Sequence, residues 1–390
     1  MSKIDDLIKQ LCPDGVAHNR LGDVIQLKKG KQLNKNFLNE KGQYPAYNGG
    51  ITFSGHTDTY NFNENTIIIS QGGASAGFVN FVKTKFYANA HCYVILPNEE
   101  VIINKYLFYF LKLNQKKLTE KQHGAGIPAL STKEILEMSV PVPPLSIQNE
   151  IVNILNSFTV LTEELEEELD IRKHQFSYYR DQLLSFEGKE VEWKMLGEVG
   201  EFVRGNGLQK KDFVESGVGC IHYGQIYTHY GTSTSETKTF VSHELAKKLK
   251  KASKNDLIIA GVSENVVDVC KSVVWLGDED ICISGDSFIF KHKQNPTYIA
   301  YLLQTSRFLE FKKRNAQGAK VTRLKSGSLP KYSIPVPSLD IQEKIANILG
   351  KMDSLVNDIY VGLPAEIKAR NKQYEYYKYR LLTFKKISNE

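Results

Sequence analysis

One pattern constrains this chain more than any other: a stretch that opens on a proline-rich run, continues as a long amphipathic helix, and occurs twice. The first copy opens PVPPLSIQNEIVNILNSFTVLTEELEEEL at Pro141 and closes QFSYYRDQLLSF at Phe186. The second opens PVPSLDIQEKIANILGKMDSLV at Pro335 and closes QYEYYKYRLLTF at Phe384. Residues 139–155 align without a gap to 333–349 with 11 of 17 positions identical, and 172–186 align to 370–384 with 7 of 15 identical. Between the two matches the offset grows from 194 (349 − 155) to 198 (384 − 186), so the second copy carries about one extra helical turn.

Apolar side chains in the first copy fall at Ile147, Ile151, Ile154, Phe158 and Leu161; in the second they fall at Ile341, Ile345, Ile348, Met352 and Leu355. The alternating spacing of four and three is that of a helix packed along another helix. At about 1.5 Å per residue, 40 such residues span roughly 60 Å. Because one chain supplies both helices, the pattern predicts two long antiparallel coiled-coil helices related by a pseudo-two-fold internal repeat. Dimerisation of the whole chain would use the same seam. Gly362 and Pro364 interrupt the second copy, so that helix should kink or restart there. The run from Glu163 to Glu168 carries five glutamates around Leu165 and suits either a solvated face or a basic partner.

The rest of the chain divides into two blocks, one before each helix. The division expected is a first head over 1–144, a first long helix over 145–187, a second head over 188–338 and a second long helix over 339–390. Weaker matches tie the heads together. LGDV at Leu21 recurs as LGEV at Leu196, KKGKQL at Lys28 as VRGNGL at Val203, and GAGIPAL at Gly124 as GAKVTRL at Gly318. Residues 1–20 read as a short lead-in with a helical turn or two. Residues 67–70 and 93–96 are apolar runs of strand length, FVNFV after GGASAG reads as a further strand, and residues from Asn104 have helical spacing. The expected class is α+β, with two tandem heads of twisted, mostly antiparallel sheet and small helices. The heads diverge while the helices stay in step, which suggests that each head recognises something different.

At 390 residues the chain can bury two or three cores, and its 41% hydrophobic and 24% charged composition is that of a globular protein. No apolar run approaches the roughly 20 residues of a membrane span, and no signal or transit pattern opens the chain; a cytoplasmic location is expected. The five cysteines form no CxxC pair, so neither metal nor disulfide framework is expected. The charge of +6 permits a nucleic-acid partner without requiring one.

Catalytic motifs are missing. GGASAG at Gly72 lacks dinucleotide-loop spacing and runs into a strand, and there is no GxxxxGK[ST], HExxH or GxSxG. His91-Cys92 opens the strand-like run to Leu96. Asn295-Pro296-Thr297-Tyr298 resembles the N-P-P-Y tetrapeptide of amino-methyltransferases, but a proline-led helix start explains it. No catalytic residue and no cofactor site is assigned to this chain.

The heads do carry polar, basic and aromatic segments at matched places. Lys28, Lys29, Lys31, Gln32, Asn34 and Lys35 in the first correspond to Arg204, Asn206, Gln209, Lys210 and Lys211 in the second. Tyr47-Asn48-Gly49-Gly50 is matched by His222-Tyr223-Gly224-Gln225, which adds Tyr47, Asn48, Tyr223 and Gln225 to the candidates. Gln71 and Ser75, and in the second head Lys320 and Arg323, complete the candidate DNA-contacting set. Lysine and arginine neutralise phosphates, while Asn, Gln and Arg pair with base edges. In either head alone such a cluster also reads as a solvated loop; recurrence in register is what makes it informative.

On these residues the chain resembles the specificity subunit of a Type I restriction–modification system. The likeness rests on the order head, helix, head, helix, on the doubled signature PVPPLSIQNEIVNIL and PVPSLDIQEKIANIL, and on YPAYNGGITFSGHTDTY, NTIIISQGGASAGFVNF and GAGIPALS in the first head. The resemblance implies that each head reads one half of a bipartite, asymmetric double-stranded DNA site in the major groove, with the helices fixing the spacer. It also implies that the helices dock adenine methyltransferase subunits, which bring S-adenosylmethionine, and that a motor-nuclease subunit completes the complex. The break at Gly362 and Pro364 departs from a straight second helix. The competing class is a free-standing DNA methyltransferase or nuclease; a third is a coiled-coil adaptor with no DNA role.

Overall fold

The computed structural model describes residues 2–120, 128–318, 320–358 and 361–387. These fall into two compact units: Met1–Glu163 with Ala369–Glu390, and Glu164–Lys368. Each unit thus holds one head, the start of the repeated helix that follows it, and the closing part of the other repeated helix.

In the first unit the apolar strand runs form a four-stranded antiparallel sheet in the order Ile25–Lys29, Cys92–Pro97, Thr66–Ser70, Val79–Val82. The two inner strands pair Ile67 with Ile95, both fully buried, as expected of β-branched residues covered on both faces. LGDV forms the short helix Leu21–Val24, which leads straight into the first strand. A second sheet of Gly55–Thr57, Tyr44–Tyr47 and Tyr87–Ala88 lies beside it in sequence, with its last pair parallel. The lead-in is more than a turn or two: Ser2–Leu11 is a helix whose Ile4 is buried in the same core as Ile147 and Leu381.

The second unit repeats the four-stranded order with Gly200–Arg204, Ser287–His292, Leu257–Ala260 and Ser272–Trp275, and adds Ser233–Thr234 in parallel at the edge. Its second sheet has Thr239–Val241, Val218–Ile221, Ile281–Ile283 and Lys251–Ala252. Although its wording differs from that of the first head, the sheet skeleton is the same. The expected α+β class, tandem and mostly antiparallel, is what the structure has.

The first repeated helix is continuous over Leu145–Ser185, 41 residues. The second is two helices, Leu339–Asn357 and Leu363–Leu382, with Pro364 in the first turn of the latter, where a missing amide costs nothing. The break expected from the sequence is a restart.

The same joint fastens head to helix in each unit. Gln148 is fully buried; its Oε1 accepts from Ile103 N (2.8 Å), and its Nε2 donates to Val101 O (3.0 Å) and Pro143 O (2.7 Å). Gln342, equally buried, accepts from Asn295 N (3.0 Å) and donates to Pro337 O and the Gln294 amide oxygen (both 2.8 Å). Tyr106 and Tyr298 donate to Pro141 O (3.1 Å) and Pro335 O (2.9 Å). Glutamine is at these positions because a buried loop end offers both an orphan amide and orphan carbonyls, and one carboxamide satisfies both kinds.

The seam expected along the helices holds for only part of its length. Ile147, Ile151 and Ile345 are buried, Ile154, Phe158, Leu161 and Met352 are half-buried, and Phe158 stacks on Tyr377 at 5.4 Å. Ile341, Ile348 and Leu355, however, are 43%, 48% and 41% exposed. In the second unit the buried row is instead Gln342, Ile345, Ala346, Leu349 and Val356, a stripe of period 3.6 whose apolar members share one core with the head and with Phe176 and Leu184 of the first repeated helix. Leu155, which the heptad leaves beside the seam, is likewise fully buried against the head in the first unit. The N-terminal helix adds cover to the first unit, held by Lys3–Glu150 (3.2 Å) and Arg380–Asp5 (2.9 Å).

Candidate nucleic-acid interface

In the first head three segments far apart in sequence are drawn together by one short one, residues 88–92. Gly30 N donates to Cys92 O (2.9 Å) and Lys31 N to Ala88 O (3.0 Å). The Asn89 side chain accepts from Leu33 N and donates to Leu33 O, each at 3.1 Å, and its own amide donates to Tyr47 O (2.8 Å). Gln71 N donates to His91 O (2.9 Å), Gly49 N to Cys92 Sγ (3.3 Å), and the Ser70 hydroxyl to Gly50 O (3.2 Å). Lys31, Gln32, Asn34, Lys35, Tyr47, Asn48, Gln71 and Ser75 therefore belong to one loop cluster. Lys28 and Lys29 lie on the sheet's outer strand, not in a loop, and are exposed. The GAGIPAL loop falls mostly outside the described residues, but the segment after it closes the cluster, with Gly73 N donating to Pro128 O and Leu130 N to Gln71 O, both 2.8 Å.

The second head repeats this with other side chains. Gly205 N donates to Ser287 O (2.9 Å), Gly261 N to Asp286 O (2.7 Å), Tyr223 N to Ser284 Oγ (3.0 Å), and Ser263 exchanges two bonds with Thr322 (3.0 and 2.7 Å). A Cβ on Gly30 would lie 2.1 Å from Asn89 O, and one on Gly205 2.1 Å from Ser284 O, so both loops require glycine where they cross the hub. Arg204, Arg323 and Lys325 line a cavity of about 470 Å³ that also takes in Gly261, Gly285 and Asp286. Lys320 and Arg323 are exposed, Arg323 on the two-stranded ribbon Ala316–Gln317 with Arg323–Leu324. Lys312 is buried and donates to Val267 O and to Val269 O (3.0 Å), which braces the 261–271 turn from below.

Several candidates spend their side chains inside the head. Asn206 donates to Lys248 O (2.9 Å) and accepts from Lys250 N (2.7 Å), and Gln225 caps the helix Tyr223–Thr228 at His222 N (2.8 Å) while donating to Thr239 Oγ1 (3.1 Å). Arg204 donates from Nε to Gly285 O (3.2 Å) yet stays exposed, while Gln209, Lys210 and Lys211 lie exposed around the short 3₁₀ turn Lys210–Asp212. The hub residues themselves, Asn89 and Ser284, were not legible as such; only their small, polar composition distinguishes them.

The remaining reactive-looking residues have structural roles. Cys92 opens a strand, and burial pushes its thiol up to about 11, away from thiolate reactivity. Asn295 caps a helix by accepting from Tyr298 N (3.0 Å), as the proline-led start implies. Among the described residues no group of His, Cys, Asp and Glu could hold a metal, and no helix is long and apolar enough to cross a membrane.

Two heads of one design, each presenting a tied loop cluster and each fastened to a repeated helix by the same glutamine joint, define a two-headed recognition scaffold. The family model described as the Type I restriction modification DNA specificity domain matches residues 13–171 and again 188–369, and the chain belongs to that family. It is 33% identical over 295 residues to the Escherichia coli EcoR124I/EcoR124II specificity subunit, covering 72% of this chain and 71% of that one. It is 28% identical to a candidate type I restriction enzyme specificity subunit of Haemophilus influenzae, covering 90% of each. The solved S subunit of a Mycoplasma genitalium type I system shares the fold, with a TM-score of 0.61, 20% identity and coverage of 94% and 96%. The chain is a Type I specificity subunit, the non-catalytic DNA-recognition component of such a system. Membership implies DNA and the system's methyltransferase and restriction subunits as partners.

Proposed function

We propose that each loop cluster reads one half of a bipartite, asymmetric double-stranded DNA site from the major groove, and that the repeated helices set the spacer and seat the adenine methyltransferase subunits, with a motor-nuclease subunit joining the assembly. The heads are taken as 1–144 and 188–338, and the helical segments as 145–187 and 339–390. The observation that carries this reading is the doubled hub: the same backbone bonds hold loops of different wording, Gly30 to Cys92 and Gly205 to Ser287, Gln71 to His91 and Gly261 to Asp286. A constant frame with variable loops is what two different half-sites demand. Exposed Lys28, Lys29, Lys31 and Lys35 in one head and Arg204, Lys210, Lys211, Lys320 and Arg323 in the other supply phosphate contacts, while Gln32, Asn34, Asn48 and Gln209 are free to meet base edges.

Lys29→Ala and Arg204→Ala test this. Each is expected to weaken binding uniformly across duplex sequences and to lower the slope of log affinity against log salt by about one. Unchanged affinity and slope in both variants would remove the basic segments from the interface. Methyl transfer from labelled S-adenosylmethionine to DNA by the purified chain alone would contradict a non-catalytic role.

A further inference from the structure

Beside the polar residues of the first head, its loop cluster carries exposed large apolar side chains that the DNA reading leaves unused, two of them together on one turn. Ile51 is 57% exposed and Phe53 46% exposed, on the short turn between Tyr47 and Gly55. The turn is not slack. Asn80 Nδ2 donates to Ile51 O (2.9 Å), Ser54 N donates to Ala46 O (2.8 Å), and Gly49, at φ 78°, is tied to Cys92. The Phe53 ring sits 4.8 Å from that of His56 and 6.4 Å from that of Tyr47. Holding two apolar side chains in water on a braced turn is costly, and a bound partner that covers them recovers that cost.

What covers them is indicated by their surroundings. His56 bridges Asn39 in the segment 28–41, which carries five lysines against one glutamate. A rim of that charge faces phosphate, and an apolar protein surface would bring no matching anions. Duplex DNA offers one apolar group in its major groove, the C5-methyl of thymine. We infer that Ile51 and Phe53 form a thymine-methyl contact, so that the half-site read by the first head includes an A·T pair recognised through its methyl group. The second head has a helix, Tyr223–Thr228, where the first has this turn, and its half-site is read without such a contact.

This rests on the DNA reading above, and the test separates the two. A duplex is selected by the full chain from a randomised library, and its thymines are replaced one at a time by deoxyuridine, which removes only the methyl group. The expected result is a loss of about fourfold in affinity at one or two thymines of a single half-site, the worth of one buried methyl. That penalty vanishes in Ile51→Ala and in Phe53→Ala. Ile51 makes no ring contact, so its variant stands even if Phe53→Ala misfolds. Selection of a duplex that shows no deoxyuridine penalty overturns the methyl contact alone, as does a penalty that persists in both variants. Variants that bind DNA as the wild type does but fail to assemble with the methyltransferase subunits would reassign the patch to protein and overturn it too. If no duplex is enriched, the DNA reading falls and this inference with it.

Discussion

Replacing Gln342 with methionine tests the joint between the second head and its helix. Methionine preserves the length and approximate volume of the stem but removes every hydrogen bond. Gln342 is fully buried and makes three: from Asn295 N at 3.0 Å, and to Pro337 O and the Gln294 amide at 2.8 Å. Asn295 N and Pro337 O would then lack partners away from water, at about 1–3 kcal/mol each, while Gln294 can turn to solvent. The expected cost is about 3 to 5 kcal/mol. Both tryptophans of the chain, Trp193 and Trp275, lie in the second unit, so fluorescence in a urea titration follows that unit. With a slope of about 2–3 kcal/mol per molar urea, the midpoint should fall by about 1 to 2 M. A fall of less than about 0.3 M would mean that these bonds are exchanged for water without loss, and the joint would have no claim to hold the head.

Two further outcomes are expected. Gly205→Ala places a methyl 2.1 Å from Ser284 O, a backbone atom that cannot turn away; the variant should lose about 2 kcal/mol or more by denaturation and bind DNA more weakly, with Gly30→Ala its parallel in the first head. Burial holds the His292 imidazole down at about 4, and its Nδ1 accepts from Gln294 N (3.1 Å). The folded state therefore favours neutral histidine, and the unfolded state binds more protons between pH 4 and 6.5. Stability should be level above about pH 6.5 and fall by up to about 1.4 kcal/mol per unit as pH drops toward 4. His292→Phe should flatten that decline in urea midpoints measured across the range; an unchanged decline would assign it to other groups.

Much of the fold was legible because local signals and tertiary packing agreed. The strand runs at 67–70 and 93–96, the helix from Asn104 and the restart at Pro364 each stand where apolar period or backbone chemistry puts them. The smaller sheets were not legible. Tyr87–Ala88 and Lys251–Ala252 are two residues long, too short for a period to show, and their pairing is set by the larger sheets they abut. The heptad at Ile341, Ile348 and Leu355 misled because a stripe spaced four and three resembles one of period 3.6 over two turns. The buried side of Leu339–Asn357 shares one core with head residues such as Tyr298 and Phe308 and with Phe176 and Leu184 of the first repeated helix. At the site, charge and recurrence located the clusters, but not which amides are free. Asn206 and Gln225 carry the same groups as Asn48 and Gln209, and only the fold shows the first pair engaged internally.

The glutamine joint has a consequence for how such chains can change. Gln148 takes hold of Ile103 N, Val101 O and Pro143 O, all main-chain atoms, and Gln342 grips Asn295 N and Pro337 O in the same way, with the Gln294 side chain, free to turn to solvent, as a third partner. A fastening addressed to the backbone is indifferent to the side chains of what it fastens. A head of foreign sequence that ends in the same proline-rich run would meet the same carboxamide and seat without any compensating substitution in the helix. Recombination within the runs at 139–148 and 333–342 would then trade whole heads as cassettes, and each exchange would replace one reading while leaving the other untouched.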